Sequence, residues 1–263
     1  MRSVYLIAIV LLICVFTGCG GGGSSTTAPT PTPGAQLAIT SGNWDLGVTS
    51  ASGPTFIIGG DVNQSGSTIS GGVRVANSTC FTFGTAVPVS GTISGQTATV
   101  TSAAIASQTI TATLTGSATA LSGSYTVSGT GCAGGDKGTV TAVLVPSITA
   151  TWKGTFTSNG LGNPQVGVSV PITEGTADNT GLFPLSGTAT LTGSTCFSSG
   201  TLATGSGMAG RVVDVIIINS DGSHTEFIGN LTSPATPTQV TGTYTVTGGV
   251  CGGDSGTGTL TKQ

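Results

Sequence analysis

The chain has 263 residues, of which 45 are glycine and only 6% are charged, against about 25% charged residues in a typical globular protein. Its formal net charge is −3 and its isoelectric point is about 4.7. Nucleic acid is excluded as a partner, because the six lysines and arginines are scattered and cannot form the basic surface that binds phosphates.

Residues 1–18 have the pattern of a secretion signal. Arg2 gives the start a positive charge, and an unbroken run of 13 apolar residues follows at Val4–Phe16. A helix that spans a membrane needs roughly 20 apolar residues, whereas the apolar core of a signal peptide is about 7–15 residues long. The pattern therefore predicts an export signal that is removed, not a membrane anchor.

The residues Phe16-Thr17-Gly18-Cys19 resemble the lipobox of bacterial lipoproteins, although that motif usually has Leu, Val or Ile in place of Phe16. The resemblance implies that Cys19 receives lipid, becomes the first residue after cleavage and anchors the protein in a membrane of the cell envelope. Gly20 stands where lipoproteins retained in the inner membrane of enteric bacteria have aspartate, which favours the outer membrane. The alternative is an ordinary secretion signal followed by a chance cysteine.

A tether is predicted at residues 19–36. It begins with glycine and serine and continues into the proline-rich stretch that ends at Gly34. Glycine-serine segments are flexible and proline-rich segments are extended. We therefore expect the tether to hold a folded region away from the bilayer.

The rest of the chain consists of two similar halves. Ser78-Thr79-Cys80-Phe81 recurs as Ser194-Thr195-Cys196-Phe197, and Tyr125-Thr126-Val127 recurs as Tyr244-Thr245-Val246. In each half a further cysteine follows the tyrosine by seven residues. The order and spacing of these motifs predict a tandem duplication.

The two domains are predicted to span residues 37–146 and 147–263, each about the size of an ordinary domain. Each contains two of the four cysteines that remain after Cys19 and the signal are set aside. An exported protein forms disulfides readily, and although four cysteines allow three pairings, the duplication predicts one bond inside each domain. The predicted disulfides are Cys80–Cys132 and Cys196–Cys251.

Alternation of apolar and polar residues predicts β-strands in both domains. At Thr241–Thr247, Tyr244 and Val246 share one face and the threonines occupy the other, which is typical of a half-buried strand. The predicted strands of the first domain are 43–50, 55–62, 68–76, 86–94, 96–104, 108–118, 121–128 and 138–145. We expect a similar number in the second domain.

These strands predict an all-β fold in which each domain is an antiparallel meander barrel of about eight strands. The alternative is a β-sandwich of the immunoglobulin type. Open sheet edges are normally protected by charged residues, which this chain lacks, whereas a closed barrel has no edges. The immunoglobulin pattern also places a tryptophan between the bonded cysteines, but Trp44 and Trp152 precede both cysteines of their domains. We therefore favour the barrel.

The first predicted strand contains Gly42-Asn43-Trp44, which resembles the Gly-x-Trp motif of lipocalins and avidins, where the tryptophan closes one end of the barrel. In the second domain Ala150 replaces the glycine, and Lys262 is the only candidate for the basic residue that packs on the tryptophan in those families. The resemblance implies a barrel that carries a small apolar ligand. The alternative is a core tryptophan near the start of a strand.

Three motifs are similar to catalytic, cofactor or metal motifs. Gly253-Asp254-Ser255-Gly256 matches the nucleophile motif of trypsin-like proteases, but the first domain has Gly135-Asp136-Lys137-Gly138 at that place. Gly129–Gly134 matches a dinucleotide fingerprint without the helix it requires. The third motif is the Gly-Gly-Asp that contains Asp136 in one domain and Asp254 in the other, where the alternatives are a calcium ligand and a simple turn. From this we expect no catalytic residue, no cofactor, no metal site and no enzyme.

Two functions fit the sequence. The first is a structural or interaction protein of the cell envelope, with envelope proteins or glycans as partners, and the second is a carrier of a small apolar ligand. Filled inward positions such as Val75, Val100 and Tyr125 would favour the first, and a large cavity the second. The run Val212–Ile218 is apolar on both faces except at Asp214, which predicts either a strand covered by the other domain or an exposed contact for a partner.

Overall fold

The structure is a computed structural model that describes residues 35–51, 56–160 and 165–263. The predicted signal, Cys19 and the tether up to Gly34 lie outside the described residues and stay predictions. Every regular element in the described part is a β-strand. None of its segments is a helix long and apolar enough to cross a membrane.

The first half of the described chain is a closed barrel of eight antiparallel strands. Each strand pairs with the next along the chain, and the first pairs with the eighth to close the ring. The strands are β1 (Gly42–Ser50), β2 (Phe56–Ser65), β3 (Thr68–Ala76), β4 (Ala86–Ser94), β5 (Thr97–Ser102), β6 (Gln108–Gly116), β7 (Ala120–Gly129) and β8 (Lys137–Leu144).

The second half forms a barrel with the same meander order. Ten strand segments are present because two of its eight strands are interrupted, one at Gly187 and one at residues 203–206. The pairings β9–β18 and β15–β16 complete the ring. The segments are β9 (Ala150–Ser158), β10 (Gln165–Glu174), β11 (Phe183–Ser186), β12 (Thr188–Thr192), β13 (Ser199–Leu202), β14 (Gly207–Ala209), β15 (Val212–Asn219), β16 (His224–Leu231), β17 (Gln239–Thr247) and β18 (Ser255–Lys262).

The prediction of tandem antiparallel barrels is confirmed, and the sandwich alternative is wrong because each sheet closes on itself. In the first barrel every strand end lies within three residues of its predicted position. Local chemistry explains this agreement. The turns at Gly66 and Gly95 have φ of 60° and 56°, a conformation that glycine adopts without strain, and the alternation of burial matches the alternation of residue type between turns.

The two tryptophans occupy equivalent places in the two barrels. Trp44 and Trp152 are both buried, and each indole N–H donates a hydrogen bond to the backbone carbonyl four residues earlier, of Thr40 at 2.9 Å and of Ile148 at 2.8 Å. Lys262 lies opposite Trp152 in the register of β18 and β9, and its Nζ donates to a carbonyl of the linker between the barrels. The tryptophan therefore has the same structural role in both copies.

The outer face of β1 packs against the turn between β14 and β15 of the second barrel. Asn43 exchanges two hydrogen bonds with the backbone of Gly210, at 2.7 and 3.2 Å. Asp45, which is 1% exposed, accepts three hydrogen bonds of 2.6–3.1 Å from the Arg211 guanidinium. A Cβ on Gly59 would lie 2.4 Å from the Gly210 backbone. The barrels are thus joined by a close, polar and buried contact.

Candidate binding site at the mouth of the second barrel

Each barrel has one disulfide at the end where β1, β3 and β7, or their counterparts in the second barrel, finish. We call this end the mouth. In the first barrel the disulfide is Cys80–Cys132, and in the second it is Cys196–Cys251. The Cα separations are 5.4 and 6.1 Å, within the usual range for a disulfide. The pairing is the one that the duplication predicts.

At the mouth of the first barrel, a carboxylate accepts hydrogen bonds from a tyrosine and a serine. The hydroxyls of Tyr125 and Ser50 donate to Asp136 at 2.6 and 2.7 Å. Burial alone would raise the pKa of Asp136, but these hydrogen bonds outweigh it, so the pKa lies below its ordinary value. Burial and the hydrogen bond to this carboxylate raise the pKa of Tyr125 to about 12. At neutral pH the cluster is a carboxylate held by two neutral donors.

The second barrel repeats this cluster. The hydroxyls of Tyr244 and Ser158 donate to Asp254 at 2.9 and 2.5 Å. Burial and the hydrogen bond to the carboxylate raise the pKa of Tyr244 to about 12. Sequence analysis named the two aspartates as turn residues or calcium ligands and within the protease-like motif and its counterpart, and it missed the serines. A signal for them exists, because Ser50 and Ser158 each follow the tryptophan of their own copy by six residues.

The mouth of the first barrel is filled by side chains. Phe81 is 5% exposed and packs edge-to-face on Phe56, with ring centroids 5.6 Å apart. Phe56 in turn packs edge-to-face on the tyrosine of the cluster. Gln108 and Ala133 are buried nearby, and the Ala133 backbone N–H donates to the Gln108 side chain at 2.8 Å. Asp136 is itself buried.

The mouth of the second barrel contains a cavity of about 210 Å³. Phe197, the counterpart of Phe81, is only partly buried, and Asp254 is half-buried and lines the cavity. Three rings stack nearly parallel next to it: the ring centroid of Phe156 lies 4.9 Å from that of Tyr244 and 5.2 Å from that of Phe227. The cavity is lined by Phe156, Ser158, Val166, Leu191, Gly193, Ser194, Thr195, Phe197, Thr225, Tyr244, Val246, Cys251 and Asp254.

An exchange of side chains between neighbouring strands opens this mouth. In the first barrel Val48 lies opposite Phe56, whereas at the same place in the second barrel Phe156 lies opposite Val166. The phenylalanine of this pair is therefore on the second strand in the first barrel and on the first strand in the second barrel. Space for it comes from Gly258, where the first barrel has a valine and where a Cβ would lie 2.5 Å from the Phe156 ring.

A shorter loop also contributes to the opening. The chain passes from Cys132 to Asp136 in four steps but from Cys251 to Asp254 in three. The first loop includes Ala133, which is 2% exposed and helps to fill its mouth. The second loop reaches its aspartate without an equivalent buried side chain.

The interiors of the barrels are nearly full. The described residues leave a cavity of about 60 Å³ in the first barrel and about 20 Å³ in the second. Val75 and Tyr125 are buried in the first core and Val100 packs against it. Pockets for drug-sized ligands are about 300–1,000 Å³. By the criterion set from the sequence, the interiors favour an interaction protein over a carrier that encloses its ligand.

The protease-like motif of the second domain lies at the mouth of the barrel, at the start of β18. Ser255 begins β18, where it pairs with Thr245 in register, and Asp254 belongs to the cluster at the mouth. His224 is exposed on β16 and is not among the residues that line the cavity in the described part of the chain. Across residues 35–51, 56–160 and 165–263, no group of three or more His, Cys, Asp or Glu side chains is placed to hold a metal ion.

The apolar run of the second domain forms β15, which the first barrel covers only at its start. Val212 and Asp214 line a crevice that Arg74 of the first barrel also lines, whereas Ile218 is 45% exposed. Burial, followed by the charge of Glu226, raises the pKa of Asp214 to about 6. Within the described residues the buried Oδ1 of Asp214 has no hydrogen-bond partner.

Comparison with known proteins places the chain in no family. No protein-family model matches its sequence, and no curated protein matches it. Among solved structures it is similar to kievitone hydratase from Nectria haematococca, with 11% sequence identity over 91% of this chain and 95% of that chain, and a TM-score of 0.23. A TM-score this low carries no argument about fold or reaction.

The comparison does correct one expectation. Sequence analysis predicted that the chain is not an enzyme. That prediction is not upheld, since a solved structure that matches the chain is that of a hydratase. The prediction was based on the lack of a recognisable set of catalytic residues in the sequence. The same reading of the sequence also failed to find the polar cluster at the mouth. The likeness assigns no reaction to this chain.

Proposed function

We propose that this chain is a lipid-anchored protein of the cell envelope whose second barrel binds a small molecule at its mouth, with the first barrel as a structural support. The cavity of about 210 Å³ carries the proposal. It combines apolar rings with a carboxylate, as small-molecule sites do. The first barrel, with the same strand order, disulfide and polar cluster, has this end filled by Phe81 and Phe56.

The anchor is the part of the proposal that comes from the sequence. A lipid on Cys19 and a tether to residue 36 would hold both barrels near the outer membrane. One acyl chain gives only marginal binding to a membrane, whereas two or more give stable attachment. The lipidated cysteine would therefore keep the binding site at the envelope.

The anchor is tested by labelling. We expect the full chain, expressed in a Gram-negative bacterium, to incorporate radioactive palmitate and to sediment with outer membranes, and Cys19→Ser to do neither. Cys14→Ser, which changes the other cysteine of the N-terminal segment, is the matched control and should label normally. Equal labelling of the wild type and Cys19→Ser contradicts the anchor.

The site is tested by filling it. Val166→Phe places a ring where the first barrel has Phe56, whereas Val250→Phe adds the same ring at a residue that is 92% exposed on the adjacent loop. We expect single-ring fragments, screened by ligand-observed NMR, to bind the wild type and Val250→Phe but not Val166→Phe. A fragment set that does not distinguish Val166→Phe from the wild type contradicts a binding site at this mouth.

A further inference from the structure

We infer that the cavity at the mouth of the second barrel binds a single planar ring that carries a hydrogen-bond donor, an amine or a hydroxyl, and that it rejects carboxylic acids. This inference rests on the proposed function and adds the chemistry of the ligand. Its three supports are the apolar wall, the carboxylate and the size of the cavity.

The apolar wall selects a flat ring. Phe156, Tyr244 and Phe197 supply aromatic surface, and Val166, Leu191 and Val246 supply aliphatic surface. Aromatic rings pack on such walls in stacked or edge-to-face arrangements, with centroids about 4.5–7 Å apart. A volume of about 210 Å³ is below the roughly 300–1,000 Å³ of sites for drug-sized ligands, so the cavity suits one ring and its substituent.

The carboxylate of Asp254 selects a donor. An ionised carboxylate only accepts hydrogen bonds and has about four acceptor positions. The described side chains fill two of them, through the hydroxyls of Ser158 and Tyr244. Because Asp254 is half-buried and lines the cavity, a ligand can reach the carboxylate from the open side. Hydrogen bonds to a charged acceptor are roughly twice as strong as neutral ones.

The same carboxylate rejects anions. The residues that line the cavity in the described part of the chain include no lysine, arginine or histidine to neutralise a second negative charge. A carboxylic acid bound beside Asp254 would have to remain protonated or stay in water. The site therefore discriminates between rings by the sign and the hydrogen-bonding capacity of their substituent.

The first barrel provides a control for this argument. Its carboxylate, Asp136, has the same pair of donors but is buried, next to the filled end. Replacing Asp136 disturbs an equivalent cluster without touching the cavity. Any effect that is specific to Asp254 therefore reports on the ligand site and not on the cluster in general.

The inference is tested with benzylamine, 4-methylphenol and benzoate as probes, on the exported protein with both disulfides formed. We expect benzylamine and 4-methylphenol to bind at least about tenfold more tightly than benzoate, which corresponds to about 1.4 kcal/mol. Asp254→Asn should abolish the preference of benzylamine over benzoate. Asp136→Asn should leave that preference unchanged, and circular dichroism should show both variants folded.

Each outcome decides one point. Stronger binding of benzylamine than of 4-methylphenol identifies an amine as the ligand group, and the reverse identifies a hydroxyl. Benzoate binding as tight as that of benzylamine, or a preference that survives in Asp254→Asn, overturns the inference while the site itself stands if Val166→Phe still blocks the probes. Binding that Val166→Phe does not weaken overturns the proposed site as well.

Discussion

The mouths of the two barrels have the same framework and different contents. Both have a disulfide and a carboxylate held by a tyrosine and a serine. In the first, Phe81 and Phe56 close the end. In the second, the ring that corresponds to Phe56 is on the neighbouring strand, at Phe156, and a cavity of about 210 Å³ remains. Disulfides and polar clusters therefore hold the end of the barrel in shape, while a few inward side chains determine whether it is filled.

Removing a disulfide should have the largest effect, and it should be the same in both barrels. Cys80→Ala with Cys132→Ala opens a loop of 52 residues, and Cys196→Ala with Cys251→Ala opens one of 55. On the chain-entropy model, removing either disulfide should lower the free energy of unfolding by about 4 kcal/mol. Urea unfolding measures this loss, with the fluorescence of the one tryptophan in each barrel as the probe. A loss in one barrel more than twice that in the other would show that the frameworks are not equivalent.

Truncating the phenylalanine after the first cysteine of each pair should separate the barrels. We expect Phe81→Ala to lower the free energy of unfolding by about 3–4 kcal/mol, because a buried ring is lost and a void is left in a packed mouth. Phe197→Ala should cost about 1 kcal/mol, since that ring is only partly buried beside an existing cavity. Thermal and urea unfolding of both variants measure the effect. Equal losses would mean that the second mouth is as closely packed as the first.

Removing the tyrosine hydroxyl tests the clusters. Tyr125→Phe leaves the buried Asp136 without one of its donors and should lower the free energy of unfolding by about 2 kcal/mol. In Tyr244→Phe water can enter the cavity and solvate Asp254, so we expect a loss of about 1 kcal/mol or less. Because the pKa of Asp136 is lowered in the folded protein, its contribution is present at neutral pH and is lost as pH falls below about 4. Unfolding at pH 7 and pH 3 measures both effects, and a Tyr125→Phe loss that is the same at both pH values contradicts this account.

Asp214, which lies in the crevice between the barrels and in neither mouth, should show the opposite pH dependence. Its pKa is raised to about 6 in the folded protein, so the folded form holds its proton better than the unfolded chain, and stability falls as pH rises from about 4 to about 6. Asp214→Asn should therefore stabilise the protein at pH 7, by on the order of 1 kcal/mol, and have little effect at pH 4. Melting temperatures across this range measure the difference, and destabilisation at pH 7 is the contrary result. Glu226→Gln, which removes the neighbouring charge, is the control and should produce a smaller shift in the same direction.

Most of the strands could be predicted because their signal is local. In β17, Tyr244 and Val246 alternate with threonines, and glycines with positive φ end several strands at tight turns. The disulfide pairing could be predicted because the repeat places one cysteine pair in each copy. The interruptions of the second barrel at Gly187 and at residues 203–206 have no such signal, since a glycine in a strand pattern looks the same whether or not the strand is broken there.

The site could be predicted only in part. The sequence singled out Asp136 and Asp254, but it did not link them to Tyr125 and Tyr244, because the partners lie on other strands and a short polar side chain near a turn usually bonds locally. No motif in the sequence marks the cavity. It results from the position of one ring, Phe156, relative to its neighbours, and from the shorter loop between Cys251 and Asp254.

The strand pattern, the duplication and the cysteine pairs can be read from the sequence, because alternation, glycine turns and repeated motifs depend only on neighbouring residues and their order. Which mouth is open and how the barrels join became visible only in the folded structure. Asp45 and Arg211 form their ion pair across 166 positions of the chain, and Val166 leaves space that Phe56 fills in the other copy. Contacts of this kind depend on packing between distant strands, and nothing in the local sequence records which residues will face each other.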